Sequence, residues 1–174
     1  MIINILDILS TADKKKEMTV QTDMTSFESA GQKFPITGIK PFNLCLTNDN
    51  NKRLLISGDT TLDVVIPCDR CLTDTVQNFD IVIDREVSIE DGRAVASEDE
   101  EITFLEDDSL DVDRLIYDEI LVNWPTKVLC KDDCKGICPV CGQNLNQQDC
   151  GCDRQVIDPR MAKFQDIFNE FKEV

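Results

Sequence analysis

The 174-residue chain contains no histidine. That absence removes every zinc site that mixes thiolate with imidazole, every histidine-based triad and the commonest general base. An intrachain metal site must be built from thiolates, with or without a carboxylate. Positive charge is scarce as well: 18 basic residues face 34 acidic ones, a formal charge of -16. Such a field repels phosphate backbones, so a broad, sequence-independent nucleic-acid surface is not expected, and a basic protein partner suits the balance better. No run of apolar residues approaches the length of a membrane span. There is no glycine-rich nucleotide fingerprint and no P-loop, and no small-molecule substrate is expected. The first residues, MIINILDILS, lack a basic n-region and carry Asp7 within the apolar stretch, so they do not read as a signal peptide. A reducing, cytoplasmic setting follows as the expectation, and there cysteines serve metals more often than disulfides.

Cysteine is abundant by contrast. Nine are present, six of them between Cys130 and Cys152 in the stretch CKDDCKGICPVCGQNLNQQDCGC. Cys138-Pro139-Val140-Cys141-Gly142 is a C-x2-C knuckle followed by a glycine able to take a positive φ. The stretch has few apolar residues to fold around other than through a metal or disulfides. Zn2+ is the expected ion. Cys138 and Cys141 are the firmest ligands, with Cys134 and Cys152 as the first choice to complete the set, and Cys150 and Cys130 next. A second C-x2-C, Cys68 to Cys71, sits between two strand-like segments and not at the head of a helix, the setting a thioredoxin-like redox pair would need. Cys68 and Cys71 could form a second site with spare C-terminal thiols, or remain paired structural thiols. Cys45 has no cysteine near it in sequence and reads as a small buried apolar residue.

The rest of the chain is rich in strand patterns. Ile2 to Leu9 reads as a strand or a short helix. Glu17 to Phe27 alternates apolar with polar residues, and Ile36 to Leu46 holds a further strand weakened by Gly38 and Pro41. Leu54, Ile56, Leu62, Val64 and Ile66 lie on a period of two, interrupted at Gly58-Asp59. Val76 to Val87 repeats the period, so an antiparallel hairpin with the Cys68–Cys71 knuckle in its turn is expected. Ser88 to Glu101 reads as an acidic exposed loop. The 3–4 spacing over Asp111 to Val122 predicts a helix that buries Leu115, Ile116, Ile120 and Leu121 and is capped by Asp111 or Asp113. Trp124 reads as core. Beyond the cysteines, Asp158-Pro159 opens a predicted amphipathic helix with Met161, Phe164, Ile167, Phe168 and Phe171 on one face.

CDRCL at Cys68 to Leu72, LDVDRLIYDEILVNWP at Leu110 to Pro125, the cysteine stretch and DPRMAKFQDIF at Asp158 to Phe168 together resemble the bacterial YceD family, also described as DUF177, in its form with a C-terminal cysteine cluster. The resemblance implies a role in large-subunit ribosomal RNA accumulation in the bacterial cytoplasm and carries no catalytic residues with it.

The expected architecture is α+β: a β-rich antiparallel body with the character of an incomplete barrel over residues 1–128, and a small zinc-binding unit with a helix over 129–174. The expected function is a non-catalytic zinc-bound factor that supports large-subunit rRNA, acting through a basic large-subunit ribosomal protein or a precursor ribosomal particle. One rival is a direct RNA-binding zinc module, requiring Arg70, Lys127, Lys131, Lys135, Arg154, Arg160 and Lys163 to form one positive patch. The other is an enzyme, either a thiol oxidoreductase or a metal-assisted nuclease. A metal site closed by four thiolates disfavours the second, because a catalytic ion needs an open position for water.

Overall fold

A computed structural model describes residues 1–95, 102–106, 108–153, 164 and 167. The chain divides into two compact units. One comprises Met1–Pro67 with Asp74–Val128, and the other Cys68–Thr73 with Leu129–Val174. The second unit therefore draws on two separate stretches of sequence.

The first unit begins with β1 (Ile2–Asn4) and a single helical turn, α1 (Leu6–Leu9). The opening apolar stretch is thus both a strand and a helix. Five strands follow: β2 (Lys15–Val20), β3 (Ser26–Ser29), β4 (Gln32–Ile39), β5 (Phe42–Asp49) and β6 (Arg53–Pro67). Then come β7 (Asp74–Glu90), β8 (Arg93–Val95), β9 (Leu105–Glu106), β10 (Ser109–Asp111) and α2 (Val112–Val122).

The two longest strands organise this unit. β6 and β7 pair antiparallel in unbroken register from Arg53↔Ser88 to Pro67↔Asp74. The other edge of β6 is shared: its first half takes β5 and its second half takes β4, with a register shift between Ile36 and Gly38. Gly58-Asp59 does not interrupt β6. A Cβ at Gly58 would lie 2.8 Å from the carbonyl oxygen of Asn43, so glycine is what lets β5 approach there. β2 extends the sheet beyond β5, β3 extends it beyond β4, and β1, β10 and β9 form a separate three-stranded sheet. Among the described residues no sheet closes on itself, so the barrel-like expectation is corrected to open antiparallel sheets. Two-residue turns at Ala30-Gly31 and Asp91-Gly92, all four residues at positive φ, reverse the chain between β3 and β4 and between β7 and β8. The expected acidic loop from Ser88 is partly replaced by structure for this reason. Ser88–Glu90 complete β7, Arg93–Val95 are β8, and residues 96–101 lie outside the described set.

The alternation of β6 and β7 puts Leu54, Ile56, Leu62, Val64, Ile66, Phe79, Ile81, Ile83 and Val87 inside. Phe27 is fully buried and stacks on Trp124 at 4.9 Å between centroids, with Phe34 4.8 Å and Phe79 5.9 Å from the same indole. Trp124 thus serves the core. The α2 cap is Asp111, whose carboxylate accepts from the N–H groups of Asp113 and Arg114 at 3.0 and 3.3 Å. Leu115, Ile116 and Ile120 are buried as expected, but Leu121 is exposed. The inward position next to Ile120 belongs to Glu119, whose Oε1 lies 2.7 Å from both Nε and Nη2 of Arg85 on β7, with Nε donating to it. That partner makes a buried acid tolerable on the core face. Asn48 is buried too. Its amide donates to the carbonyl oxygens of Ile8 at 2.8 Å and Leu9 at 3.2 Å, which fastens α1 to β5. No helix among the described residues is long and apolar enough to cross a membrane.

Candidate metal centre

The second unit is built on two turns of the same construction. At Cys68-Asp69-Arg70-Cys71-Leu72-Thr73, the N–H of Cys68 donates to the carbonyl of Thr73 at 2.9 Å and the N–H of Leu72 to the carbonyl of Cys68 at 2.9 Å. At Cys138-Pro139-Val140-Cys141-Gly142-Gln143, the N–H of Cys138 donates to Gln143 at 2.8 Å and that of Gly142 to Cys138 at 2.9 Å. The residue after the second cysteine is left-handed in both, Leu72 at φ 59° and Gly142 at φ 76°. In each knuckle backbone N–H groups turn towards the first sulfur, those of Arg70 and Cys71 towards Cys68 and those of Val140 and Cys141 towards Cys138. The second does so with glycine, and the first holds a leucine in a conformation that L-residues seldom adopt.

Each knuckle gathers its own partners. Cys68, Cys71, Cys130 and Cys134 form one group and Cys138, Cys141, Cys150 and Cys152 the other, the sulfurs of each lying within 4.8 Å of one another. All nine cysteines are free thiols. Within the first group Cys68 and Cys134 are 3.8 Å apart and Cys71 and Cys130 3.5 Å. A disulfide would need about 2.05 Å, whereas four sulfurs about 2.3 Å from a tetrahedral Zn2+ are separated by about 3.8 Å. The donor set and spacing therefore fit a closed tetrathiolate centre in both places.

The partition differs from the first-choice set. Cys134 lies not with Cys138, Cys141 and Cys152 but with Cys68, Cys71 and Cys130, and Cys150 completes the other group. Cys45 lies outside both, half-buried, its sulfur 3.7 Å from Thr47 Oγ1. Spacing alone does not divide the set, because two C-x2-C knuckles can also close one four-thiolate site between them; the fold sends Cys130 and Cys134 to one knuckle and Cys150 and Cys152 to the other.

The first group is braced by Asn144, Asn146 and Thr73, which sequence reasoning did not single out, and by Arg70, which the RNA-binding rival sets in its positive patch. Asn146 Nδ2 donates to Cys134 Sγ at 3.3 Å, while Asn146 Oδ1 accepts from the N–H of Lys135 at 2.9 Å. Asn144 Oδ1 accepts from both the N–H and Nδ2 of Asn146. Asn144 Nδ2 reaches Thr73 Oγ1 at 3.2 Å, and that hydroxyl lies 3.3 Å from Cys71 Sγ. Arg70 Nη1 donates to the carbonyl of Cys134 at 2.9 Å, and the Arg70 carbonyl accepts from the N–H of Ile137 at 3.1 Å. Gly136, at φ 77°, lets that carbonyl pass: a Cβ there would sit 3.1 Å from it.

The thiols respond to the donors and sulfurs packed around them. Burial pushes Cys68 up, but the N–H groups of Arg70, Cys130 and Cys71 outweigh it and hold the thiol down at about 6. The Thr73 hydroxyl leads in lowering Cys71. The N–H groups of Cys141 and Val140 lower Cys138 to about 6. Shared protons do the opposite: Cys71 pushes Cys130 up to about 12, and Cys150 pushes Cys152 up to about 12. Four adjacent sulfurs cannot all ionise alone, and a divalent cation removes that conflict by displacing the shared protons.

The cations of an imagined RNA patch are partly committed. Arg70 is bound to Cys134, Lys131 lies 3.7 Å from Asp133, and Arg154, Arg160 and Lys163 are outside the described residues. Most of the predicted C-terminal helix is outside them too, while Phe164 and Ile167 are helical and exposed.

A family profile described as "Large ribosomal RNA subunit accumulation protein YceD" matches residues 56–168, a span that includes both thiol groups. An uncharacterized protein of Mycobacterium leprae (strain TN) is 27% identical over 129 residues, covering 73% of this chain and 59% of its own length. One from Mycobacterium bovis is 27% identical over 115 residues, covering 66% of this chain and 55% of its own. The uncharacterized protein YlbN of Bacillus subtilis is 25% identical over 121 residues, covering 66% and 67%. The chain thus spans rather more than half the length of the mycobacterial relatives it matches. No solved structure matches it.

Proposed function

The chain belongs to the YceD family of large ribosomal RNA subunit accumulation proteins, and from that premise we propose that it is a non-catalytic, zinc-bound factor supporting large-subunit rRNA in the bacterial cytoplasm. The family match carries the ribosomal setting. The two groups of four thiols carry the zinc. Four thiolates leave no coordination position for water or substrate, so an ion held by Cys68, Cys71, Cys130 and Cys134, or by Cys138, Cys141, Cys150 and Cys152, stabilises the chain and does not hydrolyse anything. The same closure argues against a thiol oxidoreductase, since both cysteines of each C-x2-C pair are engaged.

A basic large-subunit ribosomal protein, free or within a precursor particle, is the partner that electrostatics favours. The outward face of the β6–β7 ribbon presents Asp59, Asp63, Asp74, Asp80, Asp84 and Glu86, and its one cation, Arg53, is already held by Asp49 and Glu86. Such a face attracts lysine- and arginine-rich segments and repels bare RNA. Affinity capture from cells, with nuclease treatment before elution, tests this. Retention of one defined large-subunit protein after RNA digestion supports the reading. Loss of every ribosomal component with the RNA, together with tight binding of an rRNA fragment at physiological salt, would establish the direct RNA-binding rival.

A further inference from the structure

The two thiol groups share a knuckle but not a setting. In the first, Cys68, Cys71 and Cys134 are 0%, 5% and 3% exposed and Cys130 is half-buried. In the second only Cys138 is buried, Cys150 and Cys152 are half-buried, and Cys141 is exposed. The surroundings differ in the same sense. The sulfurs of the first group touch the Asn146 amide and the Thr73 hydroxyl, and both of those are fixed in turn by Asn144. Among the described residues no side-chain amide or hydroxyl reaches a sulfur of the second group. Its last two ligands are separated by Gly151 alone, at φ 64°.

Resting on the zinc reading above, we propose that the chain holds two zinc ions of unequal permanence: a locked one at Cys68, Cys71, Cys130 and Cys134, and an exchangeable one at Cys138, Cys141, Cys150 and Cys152. Zinc leaves a thiolate site when an incoming ligand reaches the metal and takes over positions as sulfurs detach. Burial denies that approach at the first site. Hydrogen bonds to its sulfurs and to the loops that carry them also hold each ligand in place after a partial detachment, and partners of this kind are worth about 10–100-fold in metal affinity. At the second site the exposed Cys141 sulfur is the point of entry. This site is therefore where the protein trades zinc with small thiols, chelators or another zinc protein, while the fold around the Cys68 knuckle stays intact.

The test uses the full chain, purified reduced and without chelator, with the zinc-responsive dye 4-(2-pyridylazo)resorcinol as acceptor. Two zinc ions per chain are expected, one released at least about ten-fold faster than the other. Quenching at the end of the fast phase with N-ethylmaleimide, followed by mass spectrometry, should find Cys138, Cys141, Cys150 and Cys152 labelled and the other four protected. In a Cys150→Ser variant the fast phase should vanish and the slow one persist. The labelling needs no variant and decides the matter even if the substitution impairs folding. Two zinc ions leaving at one rate, or early label on Cys68, Cys71, Cys130 and Cys134, would overturn the inequality and leave the zinc reading standing. Protein with no zinc at all would overturn the zinc reading itself.

Discussion

The two units bury different things. In the first, the interior is hydrocarbon: Ile5, Ile8, Leu44, Leu46, Leu54, Ile56, Leu62, Ile81 and Ile83 around the Phe27–Trp124 stack. In the second, the buried apolar residues among those described are cysteines alone, Cys68, Cys71, Cys134 and Cys138. Fully burying one large aliphatic side chain is worth about 1.5–3 kcal/mol, so the first unit has ample driving force of its own. Among its described residues the second shows nothing comparable, and on the zinc reading proposed above its stability rests on the ion its sulfurs hold. One region's stability is then written in its strand periodicity and the other's in its thiols.

The sharpest way to break this contrast is to remove the ion. Structural zinc contributes about 10–16 kcal/mol to small thiolate units at pH 7. Stripping both sites should therefore collapse the amide NMR signals of residues 129–153 and of the Cys68–Thr73 tip, while those of β2, β5, β6 and β7 persist. Simultaneous loss throughout Lys15–Val87 would show that the body also requires the metal. The converse experiment perturbs the hydrocarbon core. Phe27→Ala should cost about 3–5 kcal/mol in urea unfolding of the body, yet leave the zinc content per chain unchanged.

A smaller effect is expected at the one ion pair in the core face of α2. Arg85→Leu leaves the buried Glu119 carboxylate without its donor. Because Arg85 is about a third exposed, the loss should be modest, about 1–3 kcal/mol, read from the midpoint of urea unfolding. A double variant with Glu119→Leu should recover most of it. The smallest expected effect separates the two knuckles. Gly142→Leu forces a left-handed leucine where glycine stands and should weaken zinc at the second site by about ten-fold, in line with about 1–3 kcal/mol for such a conformation. Leu72→Gly relieves the equivalent strain at the first site but frees the unfolded chain, so zinc affinity there should change by less than about five-fold. Competition with a calibrated chelator measures both, and equal losses in the two variants would contradict the difference in backbone conformation.

Much of this organisation is legible along the chain because it is local or periodic. The alternation in Leu54–Ile66 and Val76–Val87 marks β6 and β7 with their inward faces, and the spacing of Leu115, Ile116 and Ile120 marks α2. The cap at Asp111 depends only on residues two and three positions on. The absence of histidine confines any intrachain zinc site to thiolates, with or without a carboxylate, whatever the fold, and the two C-x2-C knuckles mark where such thiolates pair. What only the tertiary structure decided involves residues far apart in sequence. Leu121 leaves the place expected for it on the buried stripe, and Glu119 can lie on that stripe because Arg85, on β7, offers its carboxylate a partner. Among the described residues the sheets stay open and one edge of β6 is divided between β4 and β5, a matter of register that hydrophobic pattern alone does not reveal. The allocation of cysteines follows from the hairpin turn of β6 and β7, which brings Cys68 and Cys71 beside Cys130 and Cys134 across some sixty residues of chain. Spacing identifies a pair of ligands, since two thiols on one turn have only one geometry. The completion of a tetrahedron depends on where the rest of the backbone goes.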